Sequence, residues 1–149
     1  MLSRVANGLY WMSRNIERAE NTTRLIDVNL QLLLNLRNLN DDTLNGHWMP
    51  IVQSTCDEEL FLKLYSKATG ENVSEFFVFN PENPNSIVSC ISQARENART
   101  VRDQITVEFW TELNRNYLFL RSPEATALWQ RSPADFFLEV RNSSLLLQG

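Results

Sequence analysis

The sequence predicts an all-α fold, a multi-helix bundle with two long central helices, and three observations carry that reading. Apolar residues recur three and four apart over two long stretches, no stretch shows the apolar-polar alternation of a strand, and only four glycines and five prolines interrupt the chain. At 149 residues the chain has the length of one ordinary domain, so residues 1–149 are expected to form a single helical domain around one core.

The first element follows from period. Leu2, Val5, Leu9, Met12, Ile16, Ala19, Thr23, Ile26, Leu30 and Leu33 trace the seam of an amphipathic helix running from about Ser3, read as its N-cap, to about Arg37. Tyr10, Trp11, Leu25, Val28, Leu32 and Leu36 lie outside that seam, which predicts a central helix with neighbours on several faces. A loop follows from Asn38 to Gly46, with Asp41 and Asp42 in it. Pro50 sits inside a short helical pattern ending near Val52, and "CDEELFLKLYSKA" from Cys56 to Ala68 reads as a helix stopping before Gly70. Ser74 is read as the cap of a short apolar turn, "EFFVF", and "NPENPNS" as a proline-punctuated loop. Ile87, Ile91, Ala94, Ala98, Val101 and Ile105 then give the second long helix, with Arg95, Glu96, Arg99, Arg102 and Asp103 on its other faces. Phe109, Trp110, Leu113, Tyr117 and Leu120 continue a helical pattern to Ser122-Pro123. A last helix enters through Ser132-Pro133 and carries Phe136, Phe137, Val140, Leu145 and Leu147 to Gln148.

Charge and composition exclude several classes. The formal charge of -4 disfavours nucleic-acid binding, which needs a basic face. No membrane segment is expected, because the most apolar run, "LIDVNLQLLLNL", is short and interrupted by polar residues. Cys56 and Cys90 form no C-x-x-C pair and no secretory leader precedes them, so a cytoplasmic, reduced protein with both cysteines in the core is the natural reading. His47 is the only histidine and is read as a helix-start residue. With no Gly-rich phosphate loop or nucleophile motif either, no metal and no cofactor is expected.

The chemistry-bearing residues cluster on the two long helices. Of the fourteen basic residues, twelve are arginine, which is favoured over lysine where a planar fork holds a carboxylate or phosphate. Arg14 and Glu17 are three apart, and Glu20 and Arg24 four apart with the glutamate first, the better order for a helical pair. Glu20-Asn21 followed by Asp27 is echoed by Glu96-Asn97 followed by Asp103, which would put two carboxylates two turns apart on one face of each helix. Three readings stand open: an inter-helix ion-pair network, in which buried charges must be paired; a site for an anion or peptide, with Arg14, Arg18, Arg24, Arg95, Arg99 and Arg102 as donors and Glu17 or Glu96 as orienters or bases; and a solvated surface.

"MLSRVANGLYWMSRNIERAENTTRLIDV", with Glu17-Arg18, and "NPNSIVSCISQARENARTVRDQI" at 84–105 resemble the bacterial alpha-E family, a helical family named for its E-R motif. The resemblance covers essentially the whole chain. Members of that family run to about twice this length with a second E-R motif, so the resemblance implies an N-terminal half whose missing cover is replaced by the other half or by a second copy. A homodimer through Tyr10, Leu25, Leu32 and Leu145 to Leu147 is the corresponding expectation. The family is encoded beside, or fused to, ATP-grasp and transglutaminase-like proteins. That association implies a non-catalytic partner of an ATP-grasp peptide ligase, binding ligase or peptide through the Arg/Glu face; the alternatives are an enzyme subunit with Glu17 as acid or base, and a scaffold whose polar stripe is structural.

Overall fold

The computed structural model describes residues 2–35 and 46–148, and every regular element among them is helical. In chain order these are α1 (Leu2–Asn35), α2 (Trp48–Ser54), α3 (Glu58–Leu64), α4 (Gly70–Val78), α5 (Ile87–Thr100), a 3₁₀ turn (Arg102–Gln104), α6 (Val107–Leu120), α7 (Pro123–Arg131) and α8 (Pro133–Gln148). The expected end of the first helix at Arg37, and all of the following loop except Gly46, lie outside the described residues.

Most of these helices begin on a hydroxyl. The side chains of Thr69, Ser86, Thr106, Ser122 and Ser132 accept hydrogen bonds from the backbone N–H three residues on, at 3.0–3.3 Å. Each cap satisfies a donor that the first helical turn leaves without a partner, a contribution of about 1 kcal/mol. Pro123 and Pro133 occupy the first positions of α7 and α8, where the missing N–H costs nothing.

Several sequence expectations are corrected by these boundaries. Leu2 is already helical, so Ser3 is inside α1 and caps nothing. Ala68 is not helical and Gly70 opens α4 instead of ending α3, because Thr69 supplies the cap. Ser74 is therefore buried within α4. The second long helix stops at Thr100, and Val101, at φ -122° and ψ 31°, turns the chain into the 3₁₀ segment. Helix α7 falls in a stretch to which the apolar period assigned nothing.

Helices α1 and α5 are antiparallel and in intimate contact. Near one end, a Cβ built on Gly8 would lie 2.7 Å from the Val101 Cγ1, so the backbone approaches α5 where no side chain fits. In the middle, Asn15 Nδ2 donates to Asn97 Oδ1 at 3.1 Å. Towards the other end, the Thr22 hydroxyl donates to the Asn85 carbonyl at 3.4 Å. Helices α8 and α4 complete the cover of α1. Its buried band, which includes Met12, Ile16, Ala19, Thr23 and Ile26, keeps the expected period. The expectation of neighbours on several faces is not met: Tyr10, Trp11, Val28 and Leu32 are between 42% and 59% exposed, because the covering helices all lie on one broad side. Of the residues expected at a dimer face, Leu145 and Leu146 are exposed, but Leu147 is buried against α1 and α6.

A second cluster holds the other end together. Phe136 meets the rings of Phe79, Phe119, Trp129 and Phe137 at centroid distances of 5.4–6.3 Å, joining α6, α7 and α8 to the end of α4. The loop at 80–86 is wired to the same region: buried Asn83 donates from Nδ2 to the Phe76 carbonyl at 3.0 Å and accepts from the Asn85 N–H at 3.0 Å.

The two cysteines separate. Cys90 is buried, and burial pushes its thiol up to about 11, with the nearby Arg18 guanidinium pulling weakly the other way. Cys56 is not a core residue: it is exposed, with φ 62°. It occupies the left-handed position after α2, where Cys56 N–H bonds Gln53 O at 3.1 Å and Asp57 N–H bonds Val52 O at 3.2 Å, the paired closure that usually recruits glycine. One thiol per chain should therefore react with a chromogenic disulfide reagent at pH 8, and the second only in denaturant. Rapid reaction of two thiols in buffer would contradict the burial of Cys90.

Candidate functional site

Glu17-Arg18 is the only Glu-Arg dipeptide in the sequence, and it lies near the middle of α1. Successive residues on an α-helix point about 100° apart, so the two side chains are directed to different sides. Arg18 lines a groove of about 360 Å³ with Trp11 and Asn15 of α1 and with Gln93 and Asn97 of α5. Glu17 lines a cleft of about 540 Å³ on the opposite flank, where Met12, Ile16, Phe109 and Leu147 form an apolar floor and Glu20, Asn21 and Arg24 stand at the rim.

The expected ion pairs exist, but within single helices. Arg14 reaches Glu17 at 3.1 Å, Arg24 reaches Glu20 at 2.5 Å, and Arg99 reaches Glu96 at 3.0 Å, with at least one partner of each pair well exposed. Their three- and four-residue spacings let each of these charges find a partner on its own helix. The structure does not gather the six arginines around one ligand. Arg95 turns away from α1 to α6, donating from Nε to Asn114 Oδ1 at 2.8 Å and lying over the Trp110 and Tyr117 rings. Arg102 and Asp103 sit on the 3₁₀ turn, which breaks the expected echo of Glu20 and Asp27 by Glu96 and Asp103 on one helix face. Asp103 accepts a bond from Gln104 Nε2 at 3.4 Å.

Arg18 differs from the other five. Among the described residues, no carboxylate and no aromatic ring pairs with its guanidinium. Its neighbours in the groove are Trp11 and three side-chain amides, those of Asn15, Gln93 and Asn97. Asn15 is buried and fixed from two sides, its Nδ2 bonded to the Trp11 carbonyl at 2.8 Å as well as to Asn97. Amides offer both donors and acceptors, and an arginine fork offers donors alone, so the groove is chemically matched to a carboxylate attached to a peptide-like group.

Other polar contacts prove to be the inter-helix ones. Arg141 of α8 pairs with buried Asp27 at 2.8 Å. Arg115 bridges Glu112 at 2.6 Å and Glu139 of α8 at 3.0 Å. That contact holds the Glu112 carboxyl below the usual range against the opposing effect of burial. The His47 Nε2 lies 2.9 Å from Asn29 Oδ1, tying the start of α2 to α1. Apart from Glu112, three residues before Arg115 on the same helix, these partners are far apart along the chain and the sequence offered no signal for them. Gln93 and Asn97, four apart on one face of α5, were open to recognition by spacing.

Among the described residues, no three His, Cys, Asp or Glu side chains gather as a metal site, and no helix is long and apolar enough to cross a membrane. Comparison with known proteins gives one match. The Alpha-E family model, described as a predicted alpha-helical domain with a conserved ER motif, matches residues 1–149. No curated protein and no solved structure matches the chain.

Proposed function

The chain belongs to the Alpha-E family, and from that premise we propose that it is a non-catalytic helical partner of an ATP-grasp peptide ligase in a bacterial cytoplasm, holding the ligase or its peptide at the Glu-Arg helix. The observation that carries this reading is Arg18: a guanidinium without a carboxylate or ring partner among the described residues, set beside Asn15, Gln93 and Asn97 in an open groove. A cation kept for packing would be paired, as Arg14, Arg24 and Arg99 are. A cation kept for a ligand's carboxylate is left free and given amide neighbours that can pair with a peptide unit. Glu17, exposed and paired with Arg14, serves in this reading to hold the outer face of the helix and not to exchange protons.

The test joins binding to stability. The chain is used to pull down an ATP-grasp ligase from the same genome, and amino-acid-dependent ATP turnover is measured with and without the chain. Arg18→Met should weaken capture at least tenfold and leave the unfolding midpoint in place. Glu17→Gln should change stability by no more than about 0.5 kcal/mol, the range of exposed substitutions. Loss of stability with capture intact would make Arg18 a structural residue and remove the basis of the proposal.

A further inference from the structure

We propose a second binding surface, for an acidic polypeptide segment, on the α5/α6 flank of the molecule. It is independent of the Arg18 groove: Arg95 is two residues from both Gln93 and Asn97, which places it roughly 160° round α5 from them. There the structure builds a row in which guanidiniums and rings alternate. The Arg102 guanidinium lies 5.1 Å from the Trp110 ring centre, Arg95 lies 5.6 Å from Trp110 and 4.6 Å from Tyr117, and Arg121 lies 5.3 Å from Tyr117. Trp110 and Tyr117 share one face of α6, Arg121 follows its last residue, and Asn114 between the two rings fixes the Arg95 Nε at 2.8 Å.

Three like charges are thereby brought onto two rings. One carboxylate adjoins the row, Glu96, which is 3.9 Å from Arg95 and closer to Arg99 at 3.0 Å. Among the described residues, no carboxylate lies within salt-bridge distance of Arg102 or Arg121, although Glu71 and Glu75 share a wider cleft with Arg121. Ring stacking holds the flat faces of the guanidiniums and leaves in-plane N–H groups for an outside acceptor, with the rotamers already chosen. In a chain whose net charge is -4, such a local concentration of cations attracts an anion.

The spacing selects the anion. Trp110 and Tyr117 are seven residues apart, about 10 Å along a helix. Alternate side chains of an extended peptide project from one face at roughly 6.6 Å intervals, so the carboxylates of a Glu-x-Glu-x-Glu segment can meet successive guanidiniums. Single-stranded nucleic acid fits less well, since its bases stack on open rings and each ring here already carries two guanidiniums.

The experiment is fluorescence anisotropy on the full chain, with a labelled (Glu-Ser)5 peptide as probe. A (Gln-Ser)5 peptide, tripolyphosphate and a dT20 oligonucleotide serve as competitors. The acidic peptide should bind with an affinity that falls as salt rises, and none of the three competitors should displace it at equal concentration. Arg102→Gln with Arg121→Gln should weaken binding at least tenfold with the unfolding midpoint unchanged, and Arg18→Met should leave it intact. Failure of the peptide to bind, preference for tripolyphosphate or dT20, or equal binding by the double variant would each overturn the assignment. Loss on Arg18→Met alone would place the peptide in the other groove and refute the α5/α6 surface.

Discussion

Replacing Phe136 by Ala is expected to lower the free energy of unfolding by about 3–5 kcal/mol, the cost of removing a large ring from a packed interior that cannot collapse into the space. Phe136 has no exposed surface, and four rings surround it. Those rings come from four separate elements, so no single side-chain rotation fills the void. Domains of this size are typically stable by about 5–15 kcal/mol, and the change would consume a large share of that. Urea denaturation followed by circular dichroism reads it as a shifted midpoint at unchanged slope. A loss below about 1 kcal/mol would mean that the α6–α8 end is loosely packed.

The second large effect is expected at a charge pair. Arg141→Met should destabilise the fold by about 2–3 kcal/mol, because it leaves the Asp27 carboxylate, whose side chain is only 7% exposed, without its cation. The figure is set below the range for fully buried pairs because the Arg141 side chain is 44% exposed. Gln31 Nε2, which donates to Asp27 Oδ1 at 3.1 Å, remains but supplies no charge. Adding Asp27→Asn to Arg141→Met should recover part of the loss, since an amide tolerates the site that an unpaired carboxylate does not. Strictly additive losses in this double-mutant cycle would show that the two residues do not interact.

These two sites mark where the sequence was legible and where it was not. The all-α class, the seam through Met12, Ile16, Ala19, Thr23 and Ile26, and the helix start at Ser132-Pro133 follow from local rules, and local rules act on residues a few places apart. The break at Val101 escaped detection because the apolar period continues unchanged through Ile105, and α7 because its apolar residues are few and mostly half-buried. Cys56 was misread because burial statistics favour cysteine inside, whereas here a turn geometry decides its place. For the candidate site, the spacings of Arg14 to Glu17 and Glu20 to Arg24 already described pairs within one helix. The partners that cross between helices, Arg141 for Asp27 and Asn114 with two rings for Arg95, depend on which helix lies beside which. No spacing rule contains that information.

Gly8 acts as a one-position key. A Cβ there would meet Val101 at 2.7 Å, so sliding α1 along α5 by about one turn, in either direction, would bring Arg4 or Met12, which share the face of Gly8, against a β-branched side chain that cannot retract. The observed setting of the two helices avoids that collision, and it brings Asn15 level with Asn97. Arg18 is less than one turn beyond Asn15 on the same rigid rod, so a residue ten places away along the chain dictates how high the guanidinium stands above Gln93 and Asn97. Gly8→Leu should accordingly retune the groove at a distance, by shifting the rod and leaving every residue of the groove unaltered.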